Sequence, residues 1–259
     1  NLDELVLTGA VLAGNTAPRA GGIDTAGGPC LLENVTIRGN TATEDGGGGI
    51  YARGSVTLVN ALVAANAAAG EGGGLCAMDD GLTAIHSTIV DNAAGAPGGG
   101  LYCHGRYSVR LINTIVALNA AGDGSDVDGA CLAEACLLGD DRGFIDPAAG
   151  DYRPSPAGPA VDAADPGRLP ADAYDLDADG DILEPLPVDL AGRPRAAGPR
   201  ADIGAYEYQR DLSFGDADTD GDVDLDDFVL LKQSFGAATG AAWATGDFDA
   251  SGTVDLDDF

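Results

Sequence analysis

Apolar and polar residues alternate in short β-branched runs that recur at nearly constant intervals through residues 1–121, with no helical period among them. The unit reads strand, bend, strand, Asn, glycine cluster, short strand. One copy is Cys30-Leu-Leu-Glu-Asn-Val-Thr-Ile-Arg-Gly-Asn40, then glycines at 46–49 and Ile50-Tyr51. The next is Val56-Thr-Leu-Val-Asn-Ala-Leu-Val-Ala-Ala-Asn66, then glycines at 72–74 and Leu75. A third is Leu82-Thr-Ala-Ile-His-Ser-Thr-Ile-Val-Asp-Asn92, then glycines at 98–100 and Leu101. Less regular copies flank these, one ending at Asn15 with Gly21, Gly22 and Ile23, the other running from Val109 to Asn119. The closing residues Asn15, Asn40, Asn66, Asn92 and Asn119 are therefore 25, 26, 26 and 27 positions apart.

A period of about 26 residues built from β-branched strands predicts an all-β fold, coils stacked as a right-handed parallel β-helix, each pairing with the next at ~4.8 Å. Alternation along each strand assigns the faces. Val56, Leu58, Ala61 and Val63 point inward, with Asn60 at the bend between them. The matching inward sets are Cys30, Leu32, Val35 and Ile37; Leu82, Ala84, Ser87 and Ile89; and Val109, Leu111, Thr114 and Val116. Asn at a bend tolerates a left-handed φ and can bond the neighbouring coil, so the bends are expected to form a ladder. The glycine clusters are expected to supply φ freedom for the next turn. They are not phosphate loops, because no Lys-Ser/Thr follows any of them.

The tandem phrases Ile37-Arg-Gly-Asn40 and Gly48-Gly-Ile50 make residues 1–121 similar to the repeats of polymorphic outer-membrane protein passengers and related bacterial surface β-helices. That resemblance implies an extracellular or bacterial cell-surface location and an adhesin-like role.

From 122 to 210 the repeat gives way to a Pro- and Asp-rich segment carrying five blocks: Gly143-Phe-Ile-Asp-Pro147, Gly150-Asp-Tyr-Arg153, Ser155-Pro-Ala-Gly-Pro-Ala-Val-Asp-Ala163, Asp189-Leu-Ala-Gly-Arg-Pro194 and Asp202-Ile-Gly-Ala-Tyr-Glu207. It resembles the choice-of-anchor Q segment that ends many bacterial surface β-helices before an anchoring module. An open β-helix end presents unpaired backbone and apolar side chains. Phe144, Ile145, Tyr152, Val161, Ile203 and Tyr206 are accordingly expected in the final coil and its cap.

Charge changes the picture more than length does. With 13 basic against 42 acidic residues the net charge is -29, which argues against nucleic acid or an anionic membrane as partner and favours divalent cations. No apolar run reaches the roughly 18 residues of a transmembrane helix. With no signal peptide and Asn1 falling inside a repeat, the natural N-terminus is expected to lie outside this chain. The five cysteines have no metal-ligand spacing; Cys131 and Cys136 are close enough for a small disulfide loop, and Cys30 reads as a small core hydrophobe.

Much of the acid sits in two near-copies of one phrase, at 215–228 and 246–259. In the first, Asp216, Asp218 and Asp220 occupy calcium-loop positions 1, 3 and 5, Gly221 makes the turn, Asp222 offers its carbonyl, and Asp224 and Asp227 fall at 9 and 12. The second repeats this with Asp247, Asp249, Ser251, Gly252, Thr253, Asp255 and Asp258. A merely solvated acidic loop is the competing reading. Position 12 is Asp in both, where an EF-hand usually has Glu. An apolar helix face is read after the first loop from Leu225, Phe228, Leu231 and Phe235.

The Asp at position 12, that helix, and two loops 31 residues apart (247 minus 216) resemble a type I dockerin, a small α EF-hand-type module covering 211–259. The resemblance implies bound Ca²⁺ and a cohesin-like protein or cell-surface component as partner. Leu225-Asp226 and Leu256-Asp257, at loop positions 10 and 11, would form a two-fold pseudo-symmetric binding face. The chain stops at Phe259, where a second helix should begin, so a truncated module is expected.

A third acidic loop lies within the closing segment. In Asp175-Leu-Asp-Ala-Asp-Gly-Asp-Ile-Leu-Glu184, Asp175, Asp177 and Asp179 alternate as ligands, Gly180 turns, Asp181 offers a carbonyl and Glu184 can close a shell. Pro185 and Pro187 exclude a flanking helix. An exposed acidic turn without metal is the alternative.

Candidates for catalysis are few. The acids of the repeats lie in turns (Glu44, Asp45, Glu71, Asp79, Asp80), Arg38, Arg53, Arg106 and Arg110 are scattered, His86 replaces a bend Asn, and His104 reads as a surface-loop residue. The expectation is a secreted or cell-surface, non-catalytic β-helix protein that contacts polysaccharide or a host or neighbouring cell surface. The alternative is a dockerin-bearing polysaccharide lyase or glycoside hydrolase of the β-helix class.

Overall fold

A computed structural model describes residues 4–25, 28–78, 81–104, 109–122, 125–139, 143–195, 197–209, 215, 217, 223, 225–236 (the Asp226 side chain excepted), 246 and 253–255. The chain divides into two units, Asn1–Tyr208 and Gln209–Phe259. The first is a parallel β-solenoid. Its leading sheet stacks Leu5–Thr8, Cys30–Glu33, Val56–Val59, Leu82–Ile85, Val109–Ile112 and Cys131–Glu134 in chain order. A second sheet, beginning with Val11–Ala13 and Thr36–Arg38, ends with Ile115–Ala117 and Leu137–Leu138.

Register explains why the period matters. Cys30 pairs with Val56, Val56 with Leu82, and Leu82 with Val109, so each inward position forms a column of like side chains along the axis. All the expected inward residues are buried. Burying an aliphatic side chain of this size contributes roughly 1.5–3 kcal/mol.

Two further sheets complete each coil. One of them, Thr16–Ala17, Thr41–Ala42, Ala67–Ala68 and Ala93–Ala94, follows the closing asparagines and was not anticipated, because two-residue strands carry no periodicity. The last, Ile23–Thr25, Ile50–Ala52, Leu75–Ala77, Leu101–Cys103 and Val127–Asp128, follows the glycine clusters.

Polar continuity comes from the asparagines, in two rows rather than one. The bend row Asn34, Asn60, His86 and Asn113 has the left-handed φ expected of it, at 54°, 52°, 44° and 48°. The more complete ladder is the row of closing asparagines. Asn66 Oδ1 accepts from both Asn40 N and Asn40 Nδ2 at 3.0 Å, while its own Nδ2 donates to Ile37 O and Asn92 Oδ1 at 2.9 Å. Asn92 and Asn119 repeat the pattern, and Asp126 Oδ1 ends the row by accepting from Asn119 N and Nδ2.

The glycine clusters differ from expectation. Only one glycine in each of three copies, Gly47, Gly72 and Gly98, has a positive φ. Gly48 and Gly73 are required by proximity instead: a Cβ on Gly48 would collide with Gly73 O and Ala67 O, and one on Gly73 with Ala93 O.

Residues of the closing segment expected at the end of the helix lie along its flank. Phe144, Tyr152, Ala160, Ala164, Ala201 and Ile203 pack on Leu62, Ala64, Val90, Ile115 and Ala117, the residues that the second sheet turns away from the solenoid interior. That sheet is thus apolar on both faces. Phe144 and Tyr152 meet edge to face with centroids 5.9 Å apart, and Tyr152 Oη donates to Asp91 Oδ2 at 2.8 Å. Tyr206 is half-buried against the same cluster, whereas Ile145 is exposed. Cys131 and Cys136 remain free thiols, both partly buried against the solenoid core on either side of the bend residue Ala135, and Cys136 Sγ donates to Glu134 O.

In the second unit, helix α1 spans Leu225–Ser234. Its expected apolar face is buried only at Leu231, which packs with Ala217 and Val254, while Leu225, Phe228 and Phe235 are exposed. Gly246 comes so close that a Cβ on it would lie 2.9 Å from Leu231 Cα, which explains why this one side chain is enclosed.

Removing one rung of the ladder should cost far more than its volume suggests. Asn66→Ala leaves the Asn40 donors and the Ile37 carbonyl without their partner, an expected loss of roughly 2–4 kcal/mol. Urea denaturation checks this; a loss below about 0.5 kcal/mol would show that the ladder is incidental.

Candidate metal centres and the buried latch

Residues 172–184 leave and rejoin the closing segment through a narrow neck. Asp172 N donates to Glu184 O at 2.8 Å, Leu186 N donates to Pro170 O at 2.8 Å, and Ala171 forms an antiparallel bridge with Pro185. The loop is shaped by its own acids: Asp175 Oδ1 accepts from Gly180 N at 3.1 Å, Asp177 Oδ1 from Asp179 N at 3.3 Å, and Asp179 Oδ1 from Asp181 N at 2.7 Å. Asp175 at φ 51° and Gly180 at φ 92° make the reversals.

Carboxylate oxygens of Asp172, Asp175 and Asp177 lie within 4.8 Å of one another, as do those of Asp177, Asp179 and Glu184. The expected ligands Asp175, Asp177, Asp179 and Glu184 thus fall into two groups that share Asp177 rather than into one. Asp181 stands outside both groups, with its Oδ1 accepting from Leu183 N. Asp172 was missed because it precedes the alternating run by three positions, and its only signal is that it faces Glu184 across the neck.

Burial separates Asp172 from the rest. It is fully buried, its Oδ2 accepts from Leu176 N at 2.7 Å, and its Oδ1 has no partner among the described residues. Desolvation first, then the charges of Asp177 and Asp175, raise its pKa against the opposing pull of the Leu176 and Tyr174 N–H groups. Glu184 Oε1 is likewise enclosed without a partner. Glu33, at the end of the leading-sheet strand Cys30–Glu33, is also buried; desolvation and then Asp172 push it up to about 7. An all-oxygen donor set of this kind suits a hard cation such as Ca²⁺ rather than a thiophilic metal.

The motif blocks of the closing segment prove to be a latch. Arg195, 1% exposed, donates through Nη1 to Gly204 O and through Nη2 to Ala205 O, both at 3.0 Å, and Nη2 also bonds Asn60 Oδ1 of the bend row. Asp189 accepts from the N–H groups of Ala191, Arg193 and Glu207. Asp202 accepts from Asp162 N and Tyr208 N, and Glu207 Oε2 from Asp202 N at 2.9 Å. His86 lies in the bend row against Asn113 Nδ2 at 2.9 Å, and burial, then Arg195, lowers it to about 3. It serves the turn. His104 is exposed.

Of the module's expected ligands, Asp216, Asp218, Asp220, Asp222, Asp224, Asp247, Asp249, Ser251 and Asp258 lie outside the described residues, as do Leu256, Asp257 and the Asp226 side chain. Asp227 is described and buried, with Oδ1 accepting from Ala217 N at 2.7 Å. Loop position 12 is thereby joined to position 2. Thr253 Oγ1 donates to Asp255 Oδ2 at 3.2 Å, and Leu225 is exposed at the start of α1. Comparison with family models, curated proteins and solved structures finds no match to this chain.

The latch sets a pH window. Burial, then Asp202, pushes Glu207 up to about 8, and burial pushes Asp202 up to about 6. A raised acid favours the folded state below its ordinary value, and that contribution disappears as pH rises through the folded value. His86, lowered, has the opposite sign: stability is lost as pH falls from about 6.5 toward 3. Glu207→Gln should therefore gain on the parent chain by on the order of 4 kcal/mol between pH 5 and pH 9. Urea midpoints across that range measure it, and a gap that does not change with pH would contradict the assignment.

Proposed function

We propose that this chain is a secreted or cell-surface, non-catalytic binding scaffold: a right-handed parallel β-helix attached through a calcium-dependent, dockerin-like module to a cohesin-like protein or another surface component. The supporting observation is the bond from Ala217 N to buried Asp227, which draws the start of α1 back onto the start of the first acidic loop. A hard cation bound there would neutralise carboxylates that otherwise repel one another and would fix the first turn of the helix, where Leu225 is exposed. Asp216, Asp218, Asp220, Asp224 and Asp227 would hold it, with the carbonyl of Asp222. Asp247, Asp249, Ser251, Asp255 and Asp258, with the carbonyl of Thr253, would hold a second.

A net charge of -29 and a coil core built from aliphatic columns suit a rigid extracellular spacer rather than an enzyme. A lyase or glycosidase would need acids and a base converging on one face. His86 is enclosed in the bend row, the acids grouped in the latch are buried around Arg195, and the acidic triads among the described residues belong to the 172–184 loop.

Calorimetric titration of the full chain with CaCl₂ tests the calcium dependence. Asp216→Ala and Asp227→Ala should each remove the heat of the first loop, with dissociation constants roughly in the 10⁻⁴ to 10⁻³ M range for the parent. Unchanged heat in both variants would reject the loop assignment. Capture of the calcium-loaded chain by an immobilised type I cohesin domain, reversed by chelator, is the expected partner result; equal capture with and without calcium would reject calcium-dependent attachment.

A further inference from the structure

We propose that the 172–184 loop is a third divalent-cation site of the calcium type, independent of the two in the module, with Asp172, Asp175 and Asp177 as its primary ligands and Asp172 as the one that ties the ion to the folded body. The proposal does not rest on the C-terminal module.

Geometry supplies the first argument. Each acidic triad holds its oxygens within 4.8 Å of one another, the separation allowed across a shell with Ca²⁺–O distances of about 2.3–2.6 Å. Like charges so close cannot all stay ionised in isolation. None of the described ion pairs reaches Asp172, Asp175, Asp177, Asp179 or Glu184, so no described protein cation offsets them.

Burial supplies the second, independent argument. An exposed acidic loop can rely on water, but Asp172 is fully buried, belongs to the first triad, and has an Oδ1 without a partner. Its other oxygen is fixed by Leu176 N at 2.7 Å, and its backbone is pinned to Glu184 at the neck, so the carboxylate is held in place. Leaving such a carboxylate uncompensated costs several kcal/mol. Asp175 and Asp177 each engage a loop N–H through Oδ1, which leaves the second oxygen of each for an ion.

Position gives the site a consequence. Glu33 belongs to the solenoid, is 3% exposed, and has a buried Oε2 without a partner in the electrostatic neighbourhood of Asp172. An ion at Asp172 relieves the repulsion between solenoid and loop and fastens the closing segment to the coil it covers. The second triad shares Asp177 with the first, so Asp179 and Glu184 extend the acidic cluster away from Asp172.

Hydrogen exchange read by mass spectrometry on the full chain resolves this loop from the module, because each yields separate peptides. Addition of CaCl₂ to about 10 mM, well above the weak affinities of extracellular loops, should slow exchange across 172–186 at least tenfold, with MgCl₂ giving less. Asp177→Asn, at an exposed position shared by both triads, should abolish the slowing in this peptide while leaving the solenoid peptides and any calcium response of 211–259 unchanged. Asp172→Asn should do the same, with its folding checked by circular dichroism. Exchange across 172–186 that is equal with and without calcium in the parent chain, or slowing that survives Asp177→Asn, overturns the proposal. Loss of response in 211–259 alone would instead count against the attachment module.

Discussion

Everything in the first unit depends on one constraint: each coil must return to the same place after about 26 residues, because its strands pair with the coils on either side. A slip of one residue would exchange the inward and outward faces of every strand. Two devices hold the register. The aliphatic columns that stack Cys30, Val56, Leu82 and Val109 are indifferent to small displacements, but the Asn40, Asn66, Asn92 and Asn119 amides are not, since each satisfies both neighbours through fixed donors and acceptors. Apolar burial supplies most of the stability, and the buried amides specify the pitch.

The same division explains what could be read from the sequence. Inward positions and closing asparagines were legible because a stacked fold repeats its environment at a constant interval, so Ser87 and Thr114 could be placed inside despite being polar. The two-residue strands such as Ala67–Ala68 were not legible, because nothing in a pair of alanines marks a strand. Glycine at 48 and 73 was visible, yet its reason was not: backbone from neighbouring segments leaves no space for a Cβ.

The closing segment shows where an assumed cause misleads. An exposed solenoid end implies a cap, yet the apolar residues Phe144, Tyr152 and Ile203 cover the flank. A signal for this was present in the strands themselves. Leu62-Val63-Ala64 and Ile115-Val116-Ala117 are apolar at consecutive positions, the mark of a sheet buried on both faces. Asp189, Asp202 and Glu207 then bind this cover to itself through buried charge-assisted bonds, and Arg195 ties it to Asn60 of the bend row. At the candidate site the alternating acids were readable by spacing. Asp172 was not, because its role comes from burial and the neck. Helix α1 was readable as a helix but not by its buried side, since one enclosed leucine cannot be told from three exposed neighbours by periodicity.

The central claim, an in-register parallel stack, is tested most directly by one distance. Val6, Leu31, Thr57, Thr83, Arg110 and Leu132 occupy a single outward column of the leading sheet, each paired with the next. Spin labels at positions 6 and 132, in a chain with Cys131 and Cys136 replaced by serine, should give a narrow electron–electron distance distribution centred at about 24 Å, five coil spacings of ~4.8 Å, within the reach of the label arms. A broad distribution, or one centred beyond about 40 Å, would contradict the stack.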